Sequence, residues 1–310
     1  MDTFETPGRT RVVVFNPIDG VELTTNGGAT TSVELVPRGA EAEAFTEEAT
    51  VSCTEVDGVH VVTVTLPNPR SFAKRRNGLD VRISAPEDVD VVIASNGAER
   101  SLLSLARGFS GNIRLQGRVA SVDVAIPGGD LVAQIVNGSL SVKTASGDVS
   151  VDRVAGSTKI RTVSGDVEID EVLGEALVTV VSGDVTIGNA EKELDVTSVS
   201  GDIDVTDARA GASCKSTSGD VTIRRVWSGT VRAGTVSGDI VVGVPPGRGV
   251  TVDARSMAGD LRSEIDLSED RPRGEEPAGD GDDAGGVLVA INANSVSGDV
   301  QILRAAGAAA

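Results

Sequence analysis

Aspartate is the residue type that could do chemistry in this chain. It recurs as Asp148, Asp166, Asp184, Asp202, Asp220 and Asp239, each closing a Ser-Gly-Asp triplet. The steps between them are 18 residues, with a last step of 19. On neighbouring strands about 4.8 Å apart, such carboxylates form a ladder of like charges that needs hydrogen bonds or a cation. A calcium ladder is the chemistry this spacing would allow. Calcium-binding nonapeptide solenoids, however, use several glycines per turn and a metal-binding Asp in each half. Here there is one Gly per Ser-Gly-Asp corner and no Asp at the half-period corner. The ladder therefore reads as structural, no metal site is assigned, and calcium is kept as the alternative.

Other chemistry finds less support. His60 is the one histidine; it sits in the alternating run GVHVVTV, without a nucleophile motif beside it. A Ser-His-Asp arrangement needs such a partner, so no catalytic residue is assigned. Cys53 and Cys214 are the only cysteines and match no metal-ligand spacing; both read as buried, reduced thiols. No phosphate-binding glycine motif opens a helix, so no cofactor is expected. Carboxylates are abundant enough for glycoside hydrolysis. Sugar sites use aromatic platforms, though, and the chain has one Trp (Trp227), five Phe and no Tyr. A polysaccharide-acting β-helix enzyme is thus a lesser alternative.

The elements that carry the aspartates follow from the repeat. The corner glycines are Gly111, Gly129, Gly147, Gly165, Gly183, Gly201 and Gly219, each 18 residues after the last, then Gly238, Gly259 and Gly298. A second mark lies half a period on, at Gly138, Gly156 and Gly174, and resumes at Gly211 and Gly229. Between the corners the residues alternate, as in Val149-Ser-Val151, Val167-Glu-Ile169 and Val185-Thr-Ile187. Period-2 alternation of β-branched residues predicts half-buried strands. Ile160, Val178, Val196 and Cys214 form an inward column on the other side. Two strands and two corners per repeat make one rung of a β-solenoid. Gly at the corner takes φ > 0 without steric cost, and the Ser and Asp side chains bond nearby backbone.

The expected fold is all-β, a β-solenoid with 18-residue rungs preceded by an irregular β-rich head. Residues 1–95 form a β-rich capping segment and 96–261 carry the rungs. Within that span Ser101–Gly108 could be a short helix or another strand. Residues 262–286 break the pattern as a charged, flexible acidic insertion, and 287–310 hold a final rung and a low-complexity tail. That final rung, Val287–Arg304, is expected at the end of the stack with one neighbour, leaving an apolar edge free for pairing between protomers.

The net charge is −18. Binding of a nucleic-acid backbone needs clustered Lys and Arg, so nucleic acid is not expected as a partner. No apolar run approaches 18 residues and no signal peptide is visible, so direct membrane insertion is not expected and the expected location is the cytoplasm.

The Ser-Gly-Asp-Val/Ile corners, the strand-rich head, the charged break and the closing SGDVQI strand together resemble the toastrack family, an adhesin-like domain of unknown function. The likeness covers about residues 10–305. It implies a β-solenoid found in bacterial proteins, often tied to cell-envelope stress systems or surface display, and it carries no catalytic residues. The functional expectation is a non-catalytic scaffold or interaction module that takes a protein partner or self-associates as a homo-oligomer through a terminal strand edge. The alternative is a calcium-stabilised, adhesin-like surface protein.

Overall fold

The computed structural model describes residues 1–16, 19–39, 43–67, 78–94, 111–265 and 288–305. The Ser101–Gly108 segment, the acidic stretch from 266 to 286 and the tail beyond 305 lie outside the described residues. The chain forms two compact units, Met1–Leu173 and Gly174–Ala310.

The first unit begins with β1 (Asp2–Glu5), β2 (Thr10–Phe15), β3 (Gly20–Asn26), β4 (Thr30–Arg38) and a short helix α1 (Glu43–Glu48). It continues with β5 (Thr50–Val56), β6 (Val59–Thr65), β7 (Gly78–Pro86), β8 (Val89–Ala94) and β9 (Asn112–Gly128). Then come the repeat strands β10 (Leu131–Val136), β11 (Leu140–Ser146), β12 (Val149–Val154), β13 (Thr158–Ser164) and β14 (Val167–Val172). Alternate repeat strands pair in parallel at the 18-residue offset, as in Leu140↔Thr158 and Val149↔Val167. β9 spans a whole rung: its first half pairs with β3 and β10 and its second half with β8 and β11.

Parallel stacking reaches back into the head in an order the chain does not follow. β2 lies between β6 and β8, with Val12 in register with both Val62 and Val91. β3 lies between β7 and β9, with Val21 beside both Val81 and Ile113. The segment 10–26 is therefore a rung slotted between two later ones. The outermost rung, β6 and β7, is closed by antiparallel strands: β5 on β6, and β4 then β1 on β7.

The second unit contains β15 (Ala176–Ser182), β16 (Val185–Ala190), β17 (Leu194–Ser200), β18 (Ile203–Ala208), β19 (Ala212–Lys215) and β20 (Val221–Val226). It ends with β21 (Gly229–Ser237), β22 (Ile240–Val244), β23 (Gly249–Ala258), β24 (Leu261–Ser263), β25 (Leu288–Ser297) and β26 (Val300–Arg304). The 18-residue register holds at Leu194↔Ala212 and Ile203↔Val221 and slips by one residue at Ala212↔Val231 and Val221↔Ile240.

The final rung is not at the end of the stack, contrary to the expectation from the sequence. β25 pairs with β21 on one side and β23 on the other, and β26 is held likewise between β22 and β24. Both of its edges are occupied, because the 249–263 segment stacks outside it. The outer strands among the described residues are β23 and β24.

The interior is aliphatic in both units. Val142, Ile160, Val151 and Ile169 in the first, and Val178, Val196, Cys214, Val205 and Ile223 in the second, are at most 2% exposed. Each buried Val, Leu or Ile contributes about 1.5–3 kcal/mol. A two-walled, narrow core filled by such residues has no space for rings, which accounts for the scarcity of aromatics. Among the described residues, no helix is long and apolar enough to cross a membrane.

Candidate interaction surfaces

The Ser-Gly-Asp corner solves a backbone problem that returns on every rung. At Gly147, φ is 121°. A Cβ built there would stand 2.3 Å from the carbonyl oxygen of Gly129. Only glycine meets both conditions. Its N–H donates to the Ser164 carbonyl of the next rung at 3.0 Å. Gly129 and Gly165 in the first unit, and Gly183, Gly201, Gly219, Gly238 and Gly298 in the second, also have φ between 108° and 153°. Gly111 and Gly259 lie outside the left-handed region, unlike the expectation for every corner. There glycine is required by approach alone, since a Cβ would fall 2.3 Å from Asp19 O and 2.1 Å from Gly298 O respectively.

The aspartates are spent on the same corner. In the first unit, Asp148 N–H donates to Asp130 Oδ1 at 3.1 Å and Asp166 N–H to Asp148 Oδ1 at 2.9 Å. In the second, Asp202 N–H donates to Asp184 Oδ1, Asp220 N–H to Asp202 Oδ1, and Asp239 N–H to Asp220 Oδ1, at 2.7–2.8 Å. The series then runs through Asp299 to Asp260, following the order of the stack rather than of the chain. The carboxylates of Asp130, Asp148, Asp184, Asp202, Asp220, Asp239 and Asp299 thus each stitch one rung to the next through a corner amide. Among the described residues, no group of three or more His, Cys, Asp or Glu is placed to hold a metal ion.

A buried hydroxyl column lies just inside the corners. Thr144 and Thr162 donate to the carbonyls of Ser146 and Ser164, Ser216 and Thr235 to those of Gly201 and Gly219, and Ser295 to that of Gly238, at 3.0–3.3 Å. These positions look merely small in the sequence; in the structure they bond corner carbonyls, of which those of Ser146 and Ser164 also accept the N–H of Gly129 and Gly147 on the neighbouring rung.

The half-period corner of the second unit holds a cluster that the repeat signature does not announce. Asp207 on β18 is in register with Arg225 on β20. Arg225 Nε and Nη2 donate to its two carboxylate oxygens at 2.8 and 2.6 Å, and Trp227 Nε1 donates to Oδ1 at 2.8 Å. The guanidinium carbons of Arg209 and Arg248 stand 5.2 and 5.8 Å from the centre of the indole, within cation–π range. Burial pushes the Asp207 carboxyl up, but the bonds from Arg225 and Trp227 and the charges of Arg225 and Arg209 outweigh it, and its pKa lies below the ordinary value. The 18-residue spacing of Asp207 and Arg225 is visible in the sequence; the arrival of Arg248 from beyond β22 is not.

Elsewhere the surface is regular. His60 lies on β6, in register with Thr10 on one side and Glu55 on the other. Cys214 is fully buried, and burial first, then the Asp195 charge, pushes its thiol up to about 12. Cys53 is only half-buried, because β5 is an outer strand with one neighbour among the described residues; the expectation of a buried thiol fails there. A cleft of about 380 Å³ in the first unit is lined by Glu22, Arg38, Asp80, Arg82 and Arg114. Most of these charges answer one another: Arg38 pairs with Asp80, and Arg82 lies 3.8 Å from Glu22.

The apolar surface that stands out is a ridge along the second unit. Val181, Val199, Val236 and Val296, each immediately before a Ser-Gly-Asp corner, are 40–49% exposed. In stack order the column reads Val181, Val199, Thr217, Val236, Val296 and Met257, fixed by the register of the adjoining serines and Ala258. At strand spacing it is about 24 Å long.

Parallel strands stacked at a repeat-length offset, two corners per rung and a closed aliphatic interior define a β-solenoid. Within that class, residues 62–303 match the Toastrack DUF4097 family, and the chain belongs to it. Among solved structures, it is similar to a candidate cell-adhesion protein from Clostridium sporogenes (10% identity, 98% of each chain covered, TM-score 0.24). It is also similar to candidate adhesins from Bacteroides fragilis (11%, 97% and 95% covered, TM-score 0.33) and Parabacteroides distasonis (15%, 97% and 95% covered, TM-score 0.36). No curated protein sequence matches it.

Proposed function

We propose that this chain is a non-catalytic interaction module of the bacterial cytoplasm that presents a rigid, flat surface to a protein partner or to a second copy of itself. The observation that carries the reading is the valine ridge: β-branched side chains repeated at rung spacing and left 40–49% exposed. An extended apolar stripe on an otherwise charged surface is what a protein-binding face needs. The stacked corners behind it hold the stripe in place, so a partner would dock without ordering the surface first.

The test is affinity capture from a lysate of the source organism with the parent chain and with Val199→Asp/Val236→Asp. A partner retained by the parent and lost by the variant, with the variant melting within a few degrees of the parent, supports the reading. Identical capture by both rejects the ridge as the binding face. Turnover of a polysaccharide, ester or nucleotide, abolished by removal of one rung carboxylate, rejects the non-catalytic assignment. Calcium should leave the melting temperature unchanged; a clear rise in millimolar Ca²⁺, reversed by chelator, would favour the calcium-stabilised alternative.

A further inference from the structure

Among the described residues, the second unit ends on a strand edge with no further strand beside it. Val300 N–H donates to Asp260 O and Gly298 N–H to Ala258 O. In a parallel pair a residue turns its N–H and C=O to the same side, and sides alternate along the strand. The even-numbered residues of β23 therefore bond β25, and Thr251, Asp253, Arg255 and Met257 turn their backbone groups outward. β23 is ten residues long, without Pro or Lys, the devices that usually blunt an edge.

Burial falls off at this end, although Ile265 just beyond β24 is buried. Leu261 is 54% exposed, although its register partner Val300 and the next residue inward, Ile240, are at most 1% exposed. Val252, Ala254 and Ser256 are half-buried where Ile291, Ala293 and Ser295 beside them are buried.

The outward charges of this edge complement themselves. Asp253 and Arg255 are side by side on its outer face, paired at 3.1 Å and 55% and 74% exposed. An antiparallel copy centred on Ala254 sets Asp253 opposite the partner's Arg255 and Arg255 opposite the partner's Asp253. These residues carry outward backbone groups, so they form the hydrogen-bonded pairs of the new ladder. A shift by two residues either way sets Asp253 against the partner's Asp253, or Arg255 against the partner's Arg255, and opposed like charges destabilise a sheet. We infer that β23 and β24 add to the same edge of a second copy of this chain, antiparallel about a two-fold axis at Ala254, and that each copy covers the other's exposed Leu261. The inference rests on the reading of the chain as an interaction module but uses the β23 edge, which meets the valine ridge only at Met257.

Light scattering after size exclusion tests it with four preparations. The parent is expected at twice the chain mass of 31.6 kDa. Asp253→Arg and Arg255→Asp are each expected at the single-chain mass, because like charges then meet across the axis. An equimolar mixture of the two variants is expected to return to twice that mass, since each supplies the charge that the other has lost. Circular dichroism melts of each variant, expected within a few degrees of the parent, check that the fold is retained. A parent that stays monomeric up to about 100 µM, single variants that still dimerise, or a mixture that stays monomeric would each overturn the inference. A monomeric parent that still captures its partner through the ridge rejects this inference alone.

Discussion

One end of the first unit and one end of the second are built alike and finished differently. Each has an out-of-order rung: residues 10–26 sit between β6–β7 and β8–β9, and residues 288–304 between β21–β22 and β23–β24. At the first end, antiparallel β5 and β4 lie on the outermost rung, and Val62, Val64, Leu79 and Val81 are fully buried. At the second, no strand among the described residues lies beyond β23–β24, and Leu261 is 54% exposed. The lesson is that slotting a rung into the stack does not remove an edge. It only transfers the edge to another segment, which needs either an antiparallel strand or a partner.

The largest effect should come from the two slotted rungs. Gly298→Ala places a Cβ 2.0 Å from the Gly238 carbonyl oxygen at φ 153°. Gly20→Ala meets only the Asp80 carboxylate, at 2.9 Å, and a side chain can give way. In denaturant unfolding, Gly298→Ala should lose about 3 kcal/mol or more and Gly20→Ala about 1 kcal/mol or less. Equal losses would mean that the two rungs are held equally tightly.

Proline distinguishes a sealed edge from an open one. The hairpin joining β5 and β6 turns on Asp57 and Gly58, both at positive φ, which makes Val56↔Val59 and every second pair from it hydrogen-bonded. Ser52→Pro removes one such bond to β6 and should cost about 3 kcal/mol, with faster amide exchange along residues 59–65. Thr251→Pro removes an N–H that points outward from β23; it should cost about 1 kcal/mol or less and abolish dimerisation. If Thr251→Pro destabilised the isolated chain as much as Ser52→Pro, the edge at β23 would already be covered.

The half-period corners give a smaller contrast. The first unit uses Arg153–Glu171, 3.0 Å apart and 48% and 31% exposed; the second uses the Arg225–Asp207–Trp227 cluster, whose carboxylate is 16% exposed. Asp207→Asn should cost about 1–2 kcal/mol and Glu171→Gln about 0.5 kcal/mol or less. Because the folded pKa of Asp207 is depressed, its contribution is fully present above the unfolded pKa and is lost as pH falls through the folded one. Acid unfolding of Asp207→Asn should therefore be less steep than that of the parent. Identical acid profiles would show that the cluster adds no pH-dependent stability.

The smallest effect is on the two thiols. Cys53, on the outer strand β5, should react with a thiol reagent in the native protein, whereas Cys214, buried and with its pKa pushed up to about 12, should react only on unfolding. Two reactive thiols under native conditions would mean that the rungs around β19 open readily.

The repetitive part was legible because period and register are one quantity: an 18-residue sequence step is an 18-residue offset between paired strands. Cys214 could be placed in the core from that alone. What the sequence did not disclose was the order of the stack. RVVVF reads as a strand, but its alternation says only which face is buried, not that Val12 pairs with Val62 and Val91, 50 and 79 residues away. Ser297–Asp299 declared a rung in the same way without saying which rung lies outside it. In the sequence Trp227 is a lone indole; the fold places Asp207, Arg209 and Arg248 around it.

The slotted rungs also govern how the protein meets force. A repeat stack is held by nearest-neighbour contacts and frays from its ends. In an ordinary solenoid, tension on a terminal segment peels the outermost rung one hydrogen bond at a time. Here residues 10–26 and 288–304 are gripped on both sides, so tension applied to them loads two ladders in shear at once. The rungs outside them, β6–β7 and β23–β24, are internal segments of the chain, so a pull on residues 10–26 or 288–304 does not begin by peeling the outermost rung.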